Sequence, residues 1–162
     1  MDNANQDMGT IEYAEKVKKI LVSDDGFTNK PDAILELYPD YTLILGRMRG
    51  TGIRRYTGIE PWRPERTKQA IAYEDSFEGN GLKAQVIQEN PSKYLKKMKP
   101  PLENFAIISY KLDEKAANIA DMAKILYNLT PDHGINIHLG LKDDAPFIKA
   151  GFKKKGDAFV KL

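Results

Sequence analysis

The stretch that decides the fold is FAIISY (105–110), followed by DEKAANIADMAKILY (113–127) and INIHLGL (135–141). The first run is compact and apolar, which predicts a buried strand. In the second run, apolar side chains recur at helical spacing along one face, and Thr130-Pro131 predicts where that helix ends. In the third run, Ile and Leu alternate with Asn, His and Gly, which predicts a strand with one buried face.

The residues that follow complete a recognisable unit. Asp143–Ala150 predicts a short helix, and Phe152–Val160 predicts a final strand. A strand, a helix and a second strand in this order form a βαβ unit. We therefore expect an α/β (α+β) fold with a mixed, mostly antiparallel sheet and a C-terminal βαβ unit.

The amino-terminal part of the chain has weaker periodicity. Thr10 is expected to cap a helix, and Pro31 is expected in the first turn of another. The Asn-Gly pair at 80–81 favours a tight turn between two strands, with a helix over Arg66–Tyr73 as the alternative for the first of them. The predicted elements are helices over Ile11–Val22, Pro31–Leu37 and Pro91–Met98, strands over Tyr41–Leu45 and Ile53–Tyr56, and a hairpin of Lys68–Tyr73 and Leu82–Ile87.

The composition is typical of a soluble globular protein. A chain of 162 residues with 41% hydrophobic and 30% charged residues is long enough and apolar enough to bury a core. The absence of cysteine suits a reducing compartment, and no apolar run is long enough for a signal peptide or a membrane helix. We expect a single cytoplasmic domain over 1–162, with 1–9 as a flexible tail and no membrane contact.

The most unusual feature of the sequence is where its arginines lie. All six arginines fall between positions 47 and 66, whereas the nineteen lysines are scattered elsewhere. Guanidinium groups hold phosphate and carboxylate with two parallel hydrogen bonds, and glycines let backbone amides approach the same anion. The predicted anion-binding residues are Arg47, Arg49, Gly50, Gly52, Arg54, Arg55, Arg63 and Arg66, with Tyr56 and Trp62 as stacking residues.

This arginine segment (residues 47–66) suggests a function. We expect it to bind nucleic acid or a phosphorylated ligand without a cofactor, as an accessory protein of the kind found in a virus or mobile element. Two alternatives stay open: the arginines pair with the acidic first forty residues, or they meet an acidic protein partner in an interaction module. No catalytic residue is identified, and no metal site is expected because His133 and His138 lack the spacing of a zinc pair.

Two motifs resemble the GNAT acetyltransferase superfamily. Arg47-x-x-Gly50-x-Gly52 is similar to the acyl-CoA pyrophosphate loop of that family. Asp144-Ala-Pro-Phe-Ile-Lys-Ala-Gly151-Phe-Lys resembles its C-terminal motif, with Ile148 at the position of the family's tyrosine. The resemblance implies a GNAT-like fold and, as an alternative function, an acyl-CoA N-acyltransferase or a degenerate relative that uses acetyl-CoA.

Overall fold

The computed structural model describes residues 2–23, 30–39, 44–48, 50–62, 64–69 and 83–162. Seven strands of these residues form one sheet in the order β3-β2-β1-β4-β5-β7-β6. The strands are β1 (Ala33–Leu37), β2 (Arg55–Ile59), β3 (Lys83–Ile87), β4 (Phe105–Tyr110), β5 (Ile135–Leu139), β6 (Lys153–Lys155) and β7 (Ala158–Val160).

The first five strands are mutually parallel. Strand β1 lies between β2 and β4, with Ala33 aligned to Arg55 on one side and to Phe105 on the other. Strand β7 is antiparallel to both β5 and β6. The α/β class is confirmed and the sheet is mixed, but it is mostly parallel rather than mostly antiparallel. Antiparallel neighbours are joined by hairpins, whereas the parallel strands here are joined by crossovers that local turn signals do not reveal.

Helices cover both faces of the sheet. Helix α1 packs on one face with Ile34, Ala106 and Ile137, and helices α3, α5 and α6 pack on the other with Leu35 and Ile107. The helices are α1 (Asp2–Val22), α2 (64–69), α3 (Pro91–Lys96), α4 (Leu112–Lys115), α5 (Ile119–Leu129) and α6 (Ala145–Ala150), and a 3₁₀ turn spans Leu45–Arg47. We call these the α1 face and the α5 face.

Three expectations for the amino-terminal part are wrong. Residues 33–37 form the central strand β1 rather than a helix, because every one of them is buried between β2 and β4. Helix α1 begins at Asp2 rather than at the predicted cap Thr10. Leu82–Ile87 was expected in a hairpin, but β3 pairs in parallel with β2.

Other expectations are confirmed or adjusted. Strand β4 has the predicted bounds, and α3 falls within the predicted helix. The helix expected over 113–127 is divided into α4 and α5, because Asn118 caps α5 by accepting a hydrogen bond from the Asp121 amide at 3.0 Å. The expected strand over 152–160 is the β6–β7 hairpin, and residues 41–43 and 70–82 lie outside the described part. Among the described residues, no helix has both the length and the apolar character needed to cross a membrane.

Candidate functional site

The strand order itself indicates where a ligand binds. From β1 the chain proceeds outward to β2 and β3, whereas from β4 it proceeds in the opposite direction to β5. Neighbouring strands whose connections diverge leave a crevice at their carboxyl ends, and ligands of open α/β sheets bind there. The candidate site is therefore the carboxyl edge of β1, β2 and β4.

Tyr38 lies at the centre of this edge, directly after β1. Its backbone is left-handed, with φ of 54°, a conformation that a bulky side chain adopts rarely and that glycine adopts freely. Its amide donates to the Ile59 carbonyl at 3.0 Å, and its carbonyl accepts from Lys115 Nζ at 3.2 Å. Tyr38 thus joins the end of β2 to helix α4 across the crevice.

The Tyr38 side chain is paired with Trp62. The two rings stack with centroids 5.1 Å apart. Tyr38 is 3% exposed, whereas Trp62 is 59% exposed. We call Tyr38 and Trp62 the aromatic pair; it presents one tryptophan face outward at the site.

A carboxylate lies beside this pair. Glu60 follows β2 directly, is fully buried, and accepts a hydrogen bond from the Trp62 amide at 2.8 Å. Burial, and then the Glu60 carboxylate, raise the pKa of the Tyr38 phenol. Glu60 and the aromatic pair therefore form one cluster at the carboxyl ends of β1 and β2.

A second buried carboxylate, Glu36, lies in β1 on the α1 face. Glu36 accepts from the Tyr13 hydroxyl at 2.8 Å and from the Tyr56 hydroxyl at 2.5 Å. Burial, and then the Glu36 carboxylate, raise the pKa of Tyr13 well above its ordinary value. Gly58 makes room for this arrangement, because a Cβ there would lie 2.9 Å from the Tyr56 hydroxyl and 3.1 Å from Pro39.

The α5 face buries a chain of neutral polar groups instead. Asn136 donates to Thr130 Oγ1 at 2.8 Å, so its carbonyl oxygen faces His138 Nε2 at 3.0 Å, and that nitrogen must carry the proton. His138 Nδ1 therefore accepts from the Ser109 hydroxyl at 2.6 Å, and Thr130 donates onward to the Leu126 carbonyl. Burial lowers the pKa of His138 to about 3, which keeps the imidazole neutral.

Asp113 lies at the carboxyl edge beyond β4. One carboxylate oxygen, Oδ2, accepts from the Lys142 amide at 2.8 Å. The other, Oδ1, is buried and is the one such side-chain atom in the described part of the chain without a hydrogen-bond partner. Buried polar atoms without partners are uncommon in native proteins. In the described residues, no group of acidic or histidine side chains has the arrangement of a metal site.

The arginine segment does not converge on one patch. Arg55 begins β2 at the amino edge, pairs with Asp32 at 3.2 Å and lies over the Phe105 ring. Arg66 lies in α2, past the carboxyl end of β2, so the two arginines belong to opposite ends of that strand. Arg47 pairs with Glu15 of α1 at 2.7 Å. Two arginines therefore pair with carboxylates of the first forty residues, which was the alternative interpretation.

The other predicted site residues are also dispersed. Gly50 and Gly52 adopt φ of 81° and 86° with open space at the Cβ position, so they serve a turn before β2. Arg54 is exposed at the amino edge beside Arg55. Tyr56 is buried beneath α1, which leaves Trp62 as the one predicted stacking ring at the surface. Arg49 and Arg63 lie outside the described residues, and anion binding by the set stays a prediction.

Solved structures of S-adenosylmethionine-dependent methyltransferases share this fold. One is such an enzyme from Thiobacillus denitrificans in complex with S-adenosyl-L-homocysteine, with a TM-score of 0.56, 16% identity and coverage of 78% of this chain and 47% of that chain. Another is from Agrobacterium tumefaciens, with a TM-score of 0.61, 11% identity and coverage of 88% of this chain and 50% of that chain. A mutant of MtNAS in complex with S-adenosylmethionine is also similar, with a TM-score of 0.61, 12% identity and coverage of 95% of this chain and 62% of that chain. No protein-family model matches the chain, and no curated protein matches its sequence.

These similarities define the class of fold and correct four expectations. The resemblance to GNAT acetyltransferases is wrong, because the similar structures are methyltransferase-type folds. Nucleic-acid binding by a viral accessory protein and acyl transfer are contradicted as functions by the same finding. The expectation of no cofactor, or of acetyl-CoA, is contradicted because the neighbours contain S-adenosylmethionine or S-adenosyl-L-homocysteine. The chain spans about half the length of the first two of these structures.

The residues present fit a nucleoside cofactor in two respects and conflict with it in one. An acidic residue about twenty positions beyond the first turn hydrogen-bonds ribose in nucleotide-binding sheets, and Glu60 occupies that place. The left-handed backbone after β1 is the turn that such sheets build with glycine. The Tyr38 ring, however, lies at this turn where glycine would have none, and it already covers the Trp62 face that a base would use.

Proposed function

We propose that this chain is an S-adenosylmethionine-dependent methyltransferase domain that holds the adenosine part of its cofactor at the carboxyl ends of β1 and β2. The observation that carries the proposal is Glu60, a buried carboxylate directly after β2 and beside the point where the strand connections diverge. The similar structures with bound S-adenosylmethionine or S-adenosyl-L-homocysteine support the choice of cofactor.

The chain's own residues have distinct roles in this proposal. Glu60 accepts hydrogen bonds from the ribose hydroxyls, since each of the two oxygens of a carboxylate can accept. Trp62 offers the ring face that Tyr38 covers in this structure, and the adenine base would stack on that face. The cofactor supplies a methyl group activated by its attachment to a positively charged sulfur.

Calorimetric titration with S-adenosyl-L-homocysteine tests the proposal. We expect saturable binding with one site per chain, and we expect Glu60→Gln to weaken it at least tenfold, about 1.4 kcal/mol. Glu103→Gln is the matched control, because Glu103 is exposed at the amino edge and should bind like the parent. Circular dichroism must show that Glu60→Gln is folded. Equal affinity of the two variants would contradict the role of Glu60.

A second candidate function is favoured by one observation. The sequence after β1 is Tyr38-Pro-Asp-Tyr-Thr-Leu43, which contains no glycine where nucleotide-binding sheets place a glycine-rich turn. A methyltransferase-type chain that has lost cofactor binding and acts through a partner protein would have such a turn. This candidate predicts no binding of S-adenosyl-L-homocysteine by the parent chain, even at millimolar concentration.

A further inference from the structure

We propose that the Tyr38 ring blocks the cofactor site. The ring occupies the nucleoside position between Trp62 and Glu60 and must move away before the cofactor binds, and we call it the stopper. This inference rests on the proposed function, because it concerns access to the same site. Tyr38, which directly follows β1, therefore determines the affinity of the chain for its cofactor.

The backbone at Tyr38 supports the first step of the argument. A left-handed backbone is sterically unfavourable for a residue other than glycine, and a tyrosine retains it only where the surroundings impose it. Here two hydrogen bonds impose it, from Tyr38 to Ile59 and from Lys115 to Tyr38. The backbone conformation at this position therefore favours glycine, yet the residue is a tyrosine, one of the larger side chains.

The side chain supports the second step. A nucleoside brings a flat aromatic base and hydroxyl groups, and Tyr38 presents the same two features to the same two partners. Its ring stacks on Trp62, and the Glu60 carboxylate acts electrostatically on its phenol. Since one face of Trp62 cannot stack on two rings at once, Tyr38 and a base bound on that face exclude each other.

The consequence is a lowered apparent affinity. A ligand that binds only the open state has its apparent affinity reduced by the fraction of molecules in that state. Removing the ring, while keeping the left-handed turn, should restore the intrinsic affinity. Glycine is the residue that does both, because it adopts this backbone without steric cost.

Titration of Tyr38→Gly with S-adenosyl-L-homocysteine tests the stopper. We expect binding at least tenfold tighter than that of the parent chain. His133→Gly is the matched control, because His133 also has a left-handed backbone, with φ of 65°, but is exposed at the amino edge. Its affinity should equal that of the parent. Should Tyr38→Gly fail to fold by circular dichroism, Tyr38→Asn replaces it, since asparagine also tolerates this backbone.

The single tryptophan of the chain gives an independent readout. In the parent, S-adenosyl-L-homocysteine should displace Tyr38 from Trp62 and shift the tryptophan emission, and in Tyr38→Gly the emission before ligand should already differ from the parent's.

The outcomes separate the stopper from the proposed function. Parent binding that Tyr38→Gly leaves unchanged or weakens would overturn the stopper and leave the cofactor proposal standing. No binding by the parent with tight binding by Tyr38→Gly would support both. No binding by either folded protein would overturn both the stopper and the cofactor proposal, and it would favour the second candidate function, a chain that has lost cofactor binding.

Discussion

The two faces of the sheet bury their titratable groups in different ways. On the α1 face, Glu36 is held by the hydroxyls of Tyr13 and Tyr56, which belong to a helix and to a neighbouring strand. On the α5 face, His138 lies in a chain of uncharged partners that begins at Ser109 and passes through Asn136. A carboxylate accepts only, so it needs donors from several elements, whereas an imidazole can join a chain that both donates and accepts.

The difference between the Glu36 cluster and the His138 chain indicates which contacts connect the candidate site to the rest of the fold. The Glu36 cluster joins α1, β1 and β2, and two of those elements end at the candidate site. The His138 chain joins β4, β5 and the end of α5 without contacting the aromatic pair. We therefore expect damage to the Glu36 cluster to reach the site and damage to the His138 chain to affect chiefly stability.

The largest effect should follow from Glu36→Ala. The change removes the acceptor of two buried phenols, and a buried donor that loses its acceptor costs about 1–3 kcal/mol, so we expect a loss of about 2–6 kcal/mol. Urea unfolding followed by circular dichroism measures it, with Glu103→Ala as an exposed control expected within about 0.5 kcal/mol of the parent. A loss below 1 kcal/mol would show that the carboxylate does not organise the α1 face.

The next effect is a pH dependence from His138. Its folded pKa, about 3, lies below the unfolded value of 6.5, so the unfolded chain binds the extra proton and stability falls as pH falls from 6.5 toward 3. The slope is about 1.4 kcal/mol per pH unit, or about 2 kcal/mol between pH 7 and pH 5. His138→Gln should remove this contribution, because Gln can donate and accept at the same two positions without titrating. Parallel pH profiles for the two proteins would contradict it.

A smaller loss is expected for Ser109→Ala. The substitution leaves His138 Nδ1 buried without a donor, and an unsatisfied buried acceptor costs about 1–2 kcal/mol. Because burial is what lowers the pKa of His138, the pH sensitivity should persist in this variant. Thermal unfolding at pH 7 measures the loss, and binding of S-adenosyl-L-homocysteine should not change. A loss of binding would show that the two faces are coupled.

The smallest effect belongs to the exposed ion pair on the α1 face. A double-mutant cycle of Arg47→Ala and Glu15→Ala should give a coupling energy of about 0.5 kcal/mol, decreasing with added salt. This coupling energy is the smallest stability contribution expected on the α1 face, and the loss from Glu36→Ala is the largest. A coupling above 2 kcal/mol would mean that this pair, too, organises the helix.

The carboxyl-terminal half of the fold was predictable because its signals are local. Phe105–Tyr110 is apolar except for Ser109, and this strand was confirmed. The alternating run at Ile135–Leu139 was confirmed as a strand, but all five of its residues are buried, so both of its faces are covered rather than the predicted one. Residues 33–37 read AILEL, whose Ala, Leu and Glu favour helices, and only pairing with distant β2 and β4 makes them a strand. Parallel pairing leaves no turn motif in the sequence, which is why the strand order was not foreseen.

The candidate site was predictable only in part. Trp62 was identified as a stacking residue, and it does stack, but on Tyr38 of the same chain. Glu60 was missed because a single acidic residue after Gly58-Ile59 has no distinctive spacing until its strand is placed beside β1. The prediction followed the density of positive charge in the arginine segment, whereas the fold places the described arginines at different edges of the sheet.

The position of β1 between β2 and β4 has a consequence for how quickly the molecule assembles. Its partner β4 is far away in sequence, since the chain travels out to β3 and back before the two meet. Folds dominated by such distant pairings have high contact order and acquire their native structure in roughly milliseconds to seconds. The β4–β7 part has nearer partners, so we expect its amides to gain hydrogen-exchange protection first and those of β1 to gain it last.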